Sequence, residues 1–478
     1  MKLTYNVSDK PGFGKVIVFA FQQLLAILAA TIAVPAIINS KTGANMSSSA
    51  ALFGAGVGTI IYLLFTRFKS PVFLGSSFAF IGSMLTAFAG AVSASLGYFG
   101  LIIGAASAGL VYVVLAIVVK LVGVKWIDKI MPAVVIGPTV AIIGLSLAGN
   151  AVGDLQTGNV SHGVMEYVIT DAATGATELQ EVFYQNASVY LCILCGLVTL
   201  FVTMICSVYG KKMLKMIPFI IGILAGYCLA AVFTLIGNAQ DIAALQIINF
   251  DGFKSMQWYP DFTFVKAFFK EPFGYGNAGN MGAYIVTILV AYVPVAFVVF
   301  AEHIADHKNL SSIIEKDLLA EPGLHNTLLG DGVGSIAGAF FGGCPNTTYG
   351  ESVGCVAISG NASVVTILVT AILAMVASFF APFVTFLATI PSCVMGGVCI
   401  ALYGFIAVSG LKMIQKVDLE KNANLFTVSV ILIAGIGGLA ISFGSVTITE
   451  VACALILGII ANVVLNLGAK KTEKAAEE

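Results

Sequence analysis

Pro71-Val-Phe-Leu-Gly-Ser-Ser-Phe78 and Pro345-Asn-Thr-Thr-Tyr-Gly-Glu-Ser352 open in the same way, a proline and then a glycine at the start of a short apolar segment. Each of these segments is shorter than the roughly 20 apolar residues that carry a helix across a bilayer. Proline removes a backbone donor and glycine tolerates the turn that follows, so each stretch breaks a helix. A second pair, Pro132-Ala-Val-Val-Ile-Gly137 and Pro391-Ser-Cys-Val-Met-Gly396, repeats the relation. The separations, 71 to 345 and 132 to 391, are 274 and 259 residues, so the second half reads as a weak copy of the first.

The composition places these breaks in a membrane. Of 478 residues 59% are hydrophobic and only 10% charged, against roughly 25% charged in a soluble domain. The mean hydropathy is +1.00. This predicts an all-α integral membrane protein. About fourteen segments can be bracketed, three of them short or interrupted: Phe73 to Gly90, Asn326 to Gly342 and Thr347 to Gly360. Segments 3 and 10 are the broken ones, each a short strand plus a half-helix. With the N-terminus inside and strict alternation, nineteen Lys and Arg fall on the inner side and four on the outer, Lys41, Lys254, Lys266 and Lys270. Cytoplasmic loops collect such residues, so both termini are predicted cytoplasmic. Seven segments per half is an odd number, so the halves have opposite topology. Inverted repeats with a broken helix at the same place in each half point to a secondary transporter with its site near the midplane.

Charge and cysteine usage exclude other classes. A net charge of −1 with no concentrated basic tail offers nothing to nucleic acid. The polar N-terminal 14 residues lead into an apolar run with no cleavage site, which reads as a retained first helix. The nine cysteines lie mostly inside apolar runs and read as small filler.

Phe300-Ala-Glu-His-Ile-Ala-Asp-His-Lys-Asn309 concentrates the ionisable groups, at the end of the oily run from Ala283 to Phe300. Glu302 and Asp306 are one turn apart and share a helix face, as do His303 and His307. The stretch admits three readings: a metal pair, a substrate-binding carboxylate pair, or the wet end of a helix. A catalytic zinc needs a third protein ligand, and the other histidines, His162 and His325, lie in predicted loops, so an intramembrane metallopeptidase is the distant alternative. Lys308 and Asn309 suggest that His307 sits at the water boundary. Glu351 follows a glycine with no basic residue near it, and an intramembrane carboxylate normally marks a pathway or pairs with a partner. Unpaired amides from Gly75 to Phe78 and around Gly350 would donate to a ligand's carbonyl oxygens, since such amides are tolerated in a membrane only where they line a cavity or meet a ligand. Gln22 and Gln23 in the first helix either bond across a helix interface or touch substrate. Asp331, among Gly330, Gly332, Gly334 and Ser335, is a further buried carboxylate that a closely packed neighbouring helix could satisfy.

The stretches FLGSSFAFI, AEHIAD, PNTTYGESVGCVAISG and IALYGFIAVSG resemble the nucleobase-ascorbate transporter family, and within it the bacterial uracil permeases, over essentially the whole chain. The resemblance implies fourteen segments in two inverted repeats of seven. It implies a core domain (1–130 and 241–382) and a gate domain (131–240 and 383–478). It further implies proton-coupled nucleobase uptake across the cell membrane, often by a homodimer, driven by the proton gradient with no cofactor or metal. Uracil is the first expectation and xanthine or another purine the second. By motif position Glu302 and Glu351 are the substrate carboxylates, Phe78, Tyr349 and Gly350 the contacts of the broken helices, and Ala30 and Tyr403 further pocket positions. Asp306 stands where uracil permeases often carry a histidine, so it and Glu302 are the proton-coupling candidates. Ser352 and Ser359 replace the usual Asn and Thr, and Gln22-Gln23 the usual Gln-His pair.

Overall fold

The computed structural model describes the whole chain except residues 1–2, 125, 172–175, 212–213, 215–216, 255, 257, 271–280, 444–445 and 478. The chain forms two compact units, residues 1–148 with 258–384 and 402–478, and residues 149–257 with 385–401. Among the described residues eight helices are long and apolar enough to cross a membrane, or nine if one pair bent by 84°, Val364–Ala377 with Ala381–Thr389, is a single broken span. The remaining apolar segments are shorter, such as Phe78–Ala89 and Asn422–Ile436, or rich in glycine.

In the first unit α1 (Phe13–Thr42) and α2 (Ser48–Phe65) precede the first broken segment. That segment is β1 (Leu74–Ser76), a 3₁₀ turn at Phe78–Phe80 and α3 (Ile81–Ala89), followed by α4 (Ala94–Val122). After the second unit the chain returns as α5 (Met281–Ile314) and α6 (Leu324–Gly342). The second broken segment then follows as β2 (Asn346–Thr348) and α7 (Gly350–Ser359). Both broken segments are thus a strand plus a half-helix, with the break where the Pro/Gly pattern places it. The two strands pair antiparallel, with Leu74 opposite Thr348, Gly75 opposite Thr347 and Ser76 opposite Asn346.

The glycines of α6 explain how these elements come so close. Gly330, Gly334, Gly338 and Gly342 recur every fourth residue and so form one helix face. A Cβ at Gly334 would lie 2.8 Å from the Gly58 carbonyl oxygen, and one at Gly54 would lie 2.5 Å from that of Gly338. On another face Gly332 is set against Gly109 of α4. Each glycine weakens an isolated helix by about 1 kcal/mol relative to alanine. Close approach of the backbones offsets that cost, as at small-residue interfaces in membranes generally. The side chain of Asn346 occupies the space left by Gly338 and donates to the Gly54 carbonyl at 2.9 Å, which anchors β2 on α2.

In the second unit an acidic stretch forms an antiparallel hairpin, Ser161–Asp171 with Ala176–Gln185. Its two long helices, Val189–Tyr209 and Pro218–Gln240, meet where Gly222 and Gly226 face Thr203 and Thr199. Their outward apolar side chains, Phe201, Ile205, Val232 and Leu235 among them, are exposed, as on helices that face hydrocarbon.

One ion cluster lies outside the spans. Lys266 is 2.9 Å from Asp261, donates to the Asn45 carbonyl at 2.5 Å and to the Tyr98 hydroxyl at 3.2 Å, and Lys270 is 2.9 Å from the same aspartate. Burial pushes the Asp261 carboxyl up, but hydrogen bonds from Lys266 and Lys270 outweigh it and hold it below its ordinary value. A depressed carboxylate stabilises the fold above the ordinary carboxylate pKa, and that contribution is lost as pH falls through the folded value. Asp261→Asn is therefore expected to lower the melting temperature of the purified protein at pH 7 and to remove that part of its acid sensitivity. Adding Lys266→Met is expected to restore much of the loss, and an additive double variant counts against this pairing.

Candidate functional site

Antiparallel pairing of β1 with β2 brings the two half-helices to one place, and the site residues expected from the sequence all lie in the first unit. Helix α7 begins at Gly350 with no side-chain cap, so its first N–H groups have no partner within the helix. Gly350 is exposed, and a Cβ there would meet nothing within 4 Å. Open space therefore lies directly before a helix N-terminus, a place that attracts acceptors such as carbonyl oxygens. Glu351 stands in the first turn of α7, half-buried, where the helix dipole favours a carboxylate. Of the amides expected to be unpaired in the first broken segment, that of Ser77 is taken, donating to the Pro345 carbonyl at 3.0 Å.

Helix α5 supplies the other carboxylates. It has 34 residues and runs through to Ile314, so Phe300 to Asn309 is helix interior and not a helix end. Glu302 and Asp306 are half-buried on one face. Asp306 accepts from the Thr348 hydroxyl at 2.8 Å, which ties α5 to β2 one residue before the half-helix begins. The charges of Asp306, Glu351 and Asp331 all act on Glu302.

The remaining expected residues frame this space. Phe78 and Tyr403 are buried and meet edge-to-face, with centroids 5.5 Å apart at 81°. Tyr349 is buried, and its hydroxyl donates to the Ser76 carbonyl at 2.9 Å. Its ring lies over Gly75, where a Cβ would fall 2.3 Å from two ring atoms, so only glycine fits. Tyr349 thus braces the strand pair. Ala30 is fully buried in α1, which packs on β1 and α7. Gln23 takes the interhelical option left open by the sequence: its amide donates to the Ser352 hydroxyl at 2.7 Å, and that oxygen also accepts from the Phe73 amide at 3.3 Å. This links the first helix to both broken segments. Thr348 is not among the expected residues, and the sequence hint to it is the polarity of Asn346 to Thr348 inside an apolar chain; the sequence marks Gln23 as a buried amide but not Ser352 as its partner.

The histidines correct the sequence reading. His307 is not at the water boundary but fully buried, with Nδ1 2.8 Å from the His303 carbonyl and Nε2 2.7 Å from the Tyr62 hydroxyl. Lys308 and Asn309 are exposed because they occupy other helix faces. His303, also fully buried, has Nδ1 2.6 Å from Asp331 Oδ2 and Nε2 3.0 Å from the Thr327 hydroxyl. All four ring nitrogens thus have protein partners, and among the described residues no three His, Cys, Asp or Glu side chains gather as a metal site.

A family profile described as "Permease family" matches residues 14–442. Uracil permease of Bacillus caldolyticus is 34% identical over 482 residues, covering 100% of this chain and 98% of that protein. Uracil permease of Escherichia coli K12 is 33% identical, covering 95% and 92%. Among solved structures, the transmembrane domain of the cyanobacterial bicarbonate transporter BicA gives a TM-score of 0.55 at 14% identity, covering 96% of this chain and 100% of that one. The murine anion transporter Slc26a9 gives 0.60 at 11%, covering 97% and 69%. These two likenesses concern the fold alone.

Two glycines separate fold from site. Gly75→Ala drives a methyl into the Tyr349 ring, and overpacking of that kind costs about 1–3 kcal/mol, so its melting temperature is expected to drop. Gly350→Ala meets no protein atom and is expected to change stability by less than about 0.5 kcal/mol, while its methyl intrudes on the ligand space and weakens binding. Equal stability loss in the two variants would contradict this placement.

Proposed function

The chain belongs to the permease family, the nucleobase-ascorbate transporters, and from that membership we propose that it carries a nucleobase, uracil in the first instance, across the cell membrane together with protons. It is a transporter and not an enzyme. The observation that carries the reading is the open N-terminus at Gly350 with Glu351 beside it, and Asp306, on the same helix face as Glu302, tied by Thr348 to the strand that leads into it. Uracil offers two carbonyl oxygens and two N–H groups. Glu302 and Glu351 accept the N–H groups, while backbone amides near Phe78 and Gly350 donate to the carbonyls. Phe78, held at its edge by Tyr403, packs on the ring. Because the base is neutral, several carboxylates around one low-dielectric space repel one another unless a proton enters with it. Asp306, tied to the strand by Thr348, relays that proton with Glu302. Alternating access then moves the core part (residues 1–130 and 241–382) against the gate part (131–240 and 383–478). Both termini are read as cytoplasmic, and the transporter as able to work as a homodimer.

A second reading, xanthine or another purine, is favoured by Asp306 standing where uracil permeases often carry histidine. An anion substrate, which the names of the solved neighbours mention for those proteins, does not suit a space edged by Glu302, Glu351 and Asp306.

Uptake of radiolabelled uracil in permease-deficient cells, against excess unlabelled uracil or xanthine and with a protonophore, tests both halves. The expected result is saturable uptake, competed by uracil and not by xanthine, and abolished by the protonophore. Absence of uracil uptake in cells that take up radiolabelled xanthine would move the substrate to the purine reading, and indifference to the protonophore would remove the coupling. Glu302→Gln and Glu351→Gln each lose a charge-assisted hydrogen bond of roughly 1.5–3 kcal/mol, so binding is expected to weaken about 10- to 100-fold.

A further inference from the structure

Behind the carboxylates lies a second polar group that base recognition does not use. Asp331 of α6 and His303 of α5 are both fully enclosed. Thr327 spends its hydroxyl proton on the Leu324 carbonyl at 3.0 Å, so toward His303 it can only accept, and Nε2 therefore carries a proton. Between Nδ1 and Asp331 Oδ2, 2.6 Å apart, there is then one proton, either on the carboxyl or on the imidazole. Without it two lone pairs would face each other. Asp331 Oδ1, by contrast, has no partner among the described residues, and neither has the Tyr112 hydroxyl of α4, although both atoms are buried. Both residues border one cavity of about 10 Å³, which Ser335, Thr347 and Phe80 also line. A water molecule needs about 10–15 Å³ and two to four polar partners.

We propose that this cavity binds one water molecule, and that the water, Asp331 and His303 form a second proton-carrying unit beside the base-binding carboxylates. The water donates to Asp331 Oδ1 and accepts from the Tyr112 hydroxyl. A proton reaching the water is passed on by forming an O–H bond at Oδ1 as the water gives up one of its own, while the shared proton stays on Nδ1; release reverses the step. Strand β2 joins this unit to the site, because side chains alternate along a strand. Thr347 borders the cavity, and its neighbour Thr348 holds Asp306. The ionisable groups around the unit are Glu302, Asp306 and His307 on α5, Tyr112 on α4, Tyr62 on α2 and Glu351 on α7.

The unit's part in transport rests on the proton-coupled reading above, so the test separates the two. In a structure of the full-length protein that resolves solvent, one density within hydrogen-bond distance of both Asp331 and Tyr112 is expected; an empty cavity overturns the water site, whatever the substrate. Purified wild type and Asp331→Asn are then compared in proteoliposomes for uracil binding, for uracil exchange without a pH gradient, and for accumulation driven by a pH gradient. Binding within about threefold of wild type, retained exchange and at least a tenfold loss of gradient-driven accumulation are expected. Accumulation equal to wild type overturns the unit while leaving uracil transport standing. Should Asp331→Asn not fold, Tyr112→Phe removes only the hydroxyl, and its uptake is expected to show a displaced pH profile at unchanged affinity. A profile identical to wild type counts against the unit. Sodium-dependent uptake lost in Asp331→Asn would replace water and proton by a metal cation and equally overturn it. If wild type binds xanthine and not uracil, the same three measurements are made with xanthine.

Discussion

A backbone amide in hydrocarbon has no water to turn to, and the pairing of β1 with β2 answers that constraint for two broken helices at once. The ladder satisfies the residues before each half-helix, and Pro345 takes the Ser77 amide. The start of α7 has no capping side chain, and the space beside Gly350 is open. The other devices serve the same junction: the glycine face of α6 lets α2 and α4 come close, Asn346 anchors the strand, and Tyr349 closes over Gly75.

The ionisable groups divide according to how much protein surrounds them. Glu302, Asp306 and Glu351 are half-buried around open space, whereas His303, His307 and Asp331 are enclosed and hydrogen-bonded. Neighbouring residues on one helix thus take different work: Glu302 is half-buried on the face it shares with Asp306, and His303 fastens α5 to α6 through Asp331 and Thr327. The zinc-like spacing of the two histidines comes from this packing, with the rings stacked 4.0 Å apart and every nitrogen already engaged.

Much of the arrangement is legible in the sequence. Pro71 and Pro345 mark both breaks and the half-helices that follow, because proline and glycine act locally. Glu302 and Glu351 stood out because carboxylates are costly in an apolar run. The position of His307 was misread, since the exposed Lys308 and Asn309 speak only for their own faces of a helix that runs on to Ile314. The pairing of Ser161–Asp171 with Ala176–Gln185 is not legible in the sequence, because this acidic, polar stretch shows no clear apolar alternation.

By itself the sequence determined what depends on local chemistry: a membrane-spanning helical chain, two breaks in matching places, and carboxylates at membrane depth. Only the tertiary structure decided which broken segment pairs with which, that Thr348 holds Asp306, that Gln23 reaches Ser352, and that His303 is committed to Asp331. Those contacts join residues 28 to 329 positions apart. Periodicity places a side chain on a face of its own helix, but the partner on that face is set by how closely the glycine-lined helices approach.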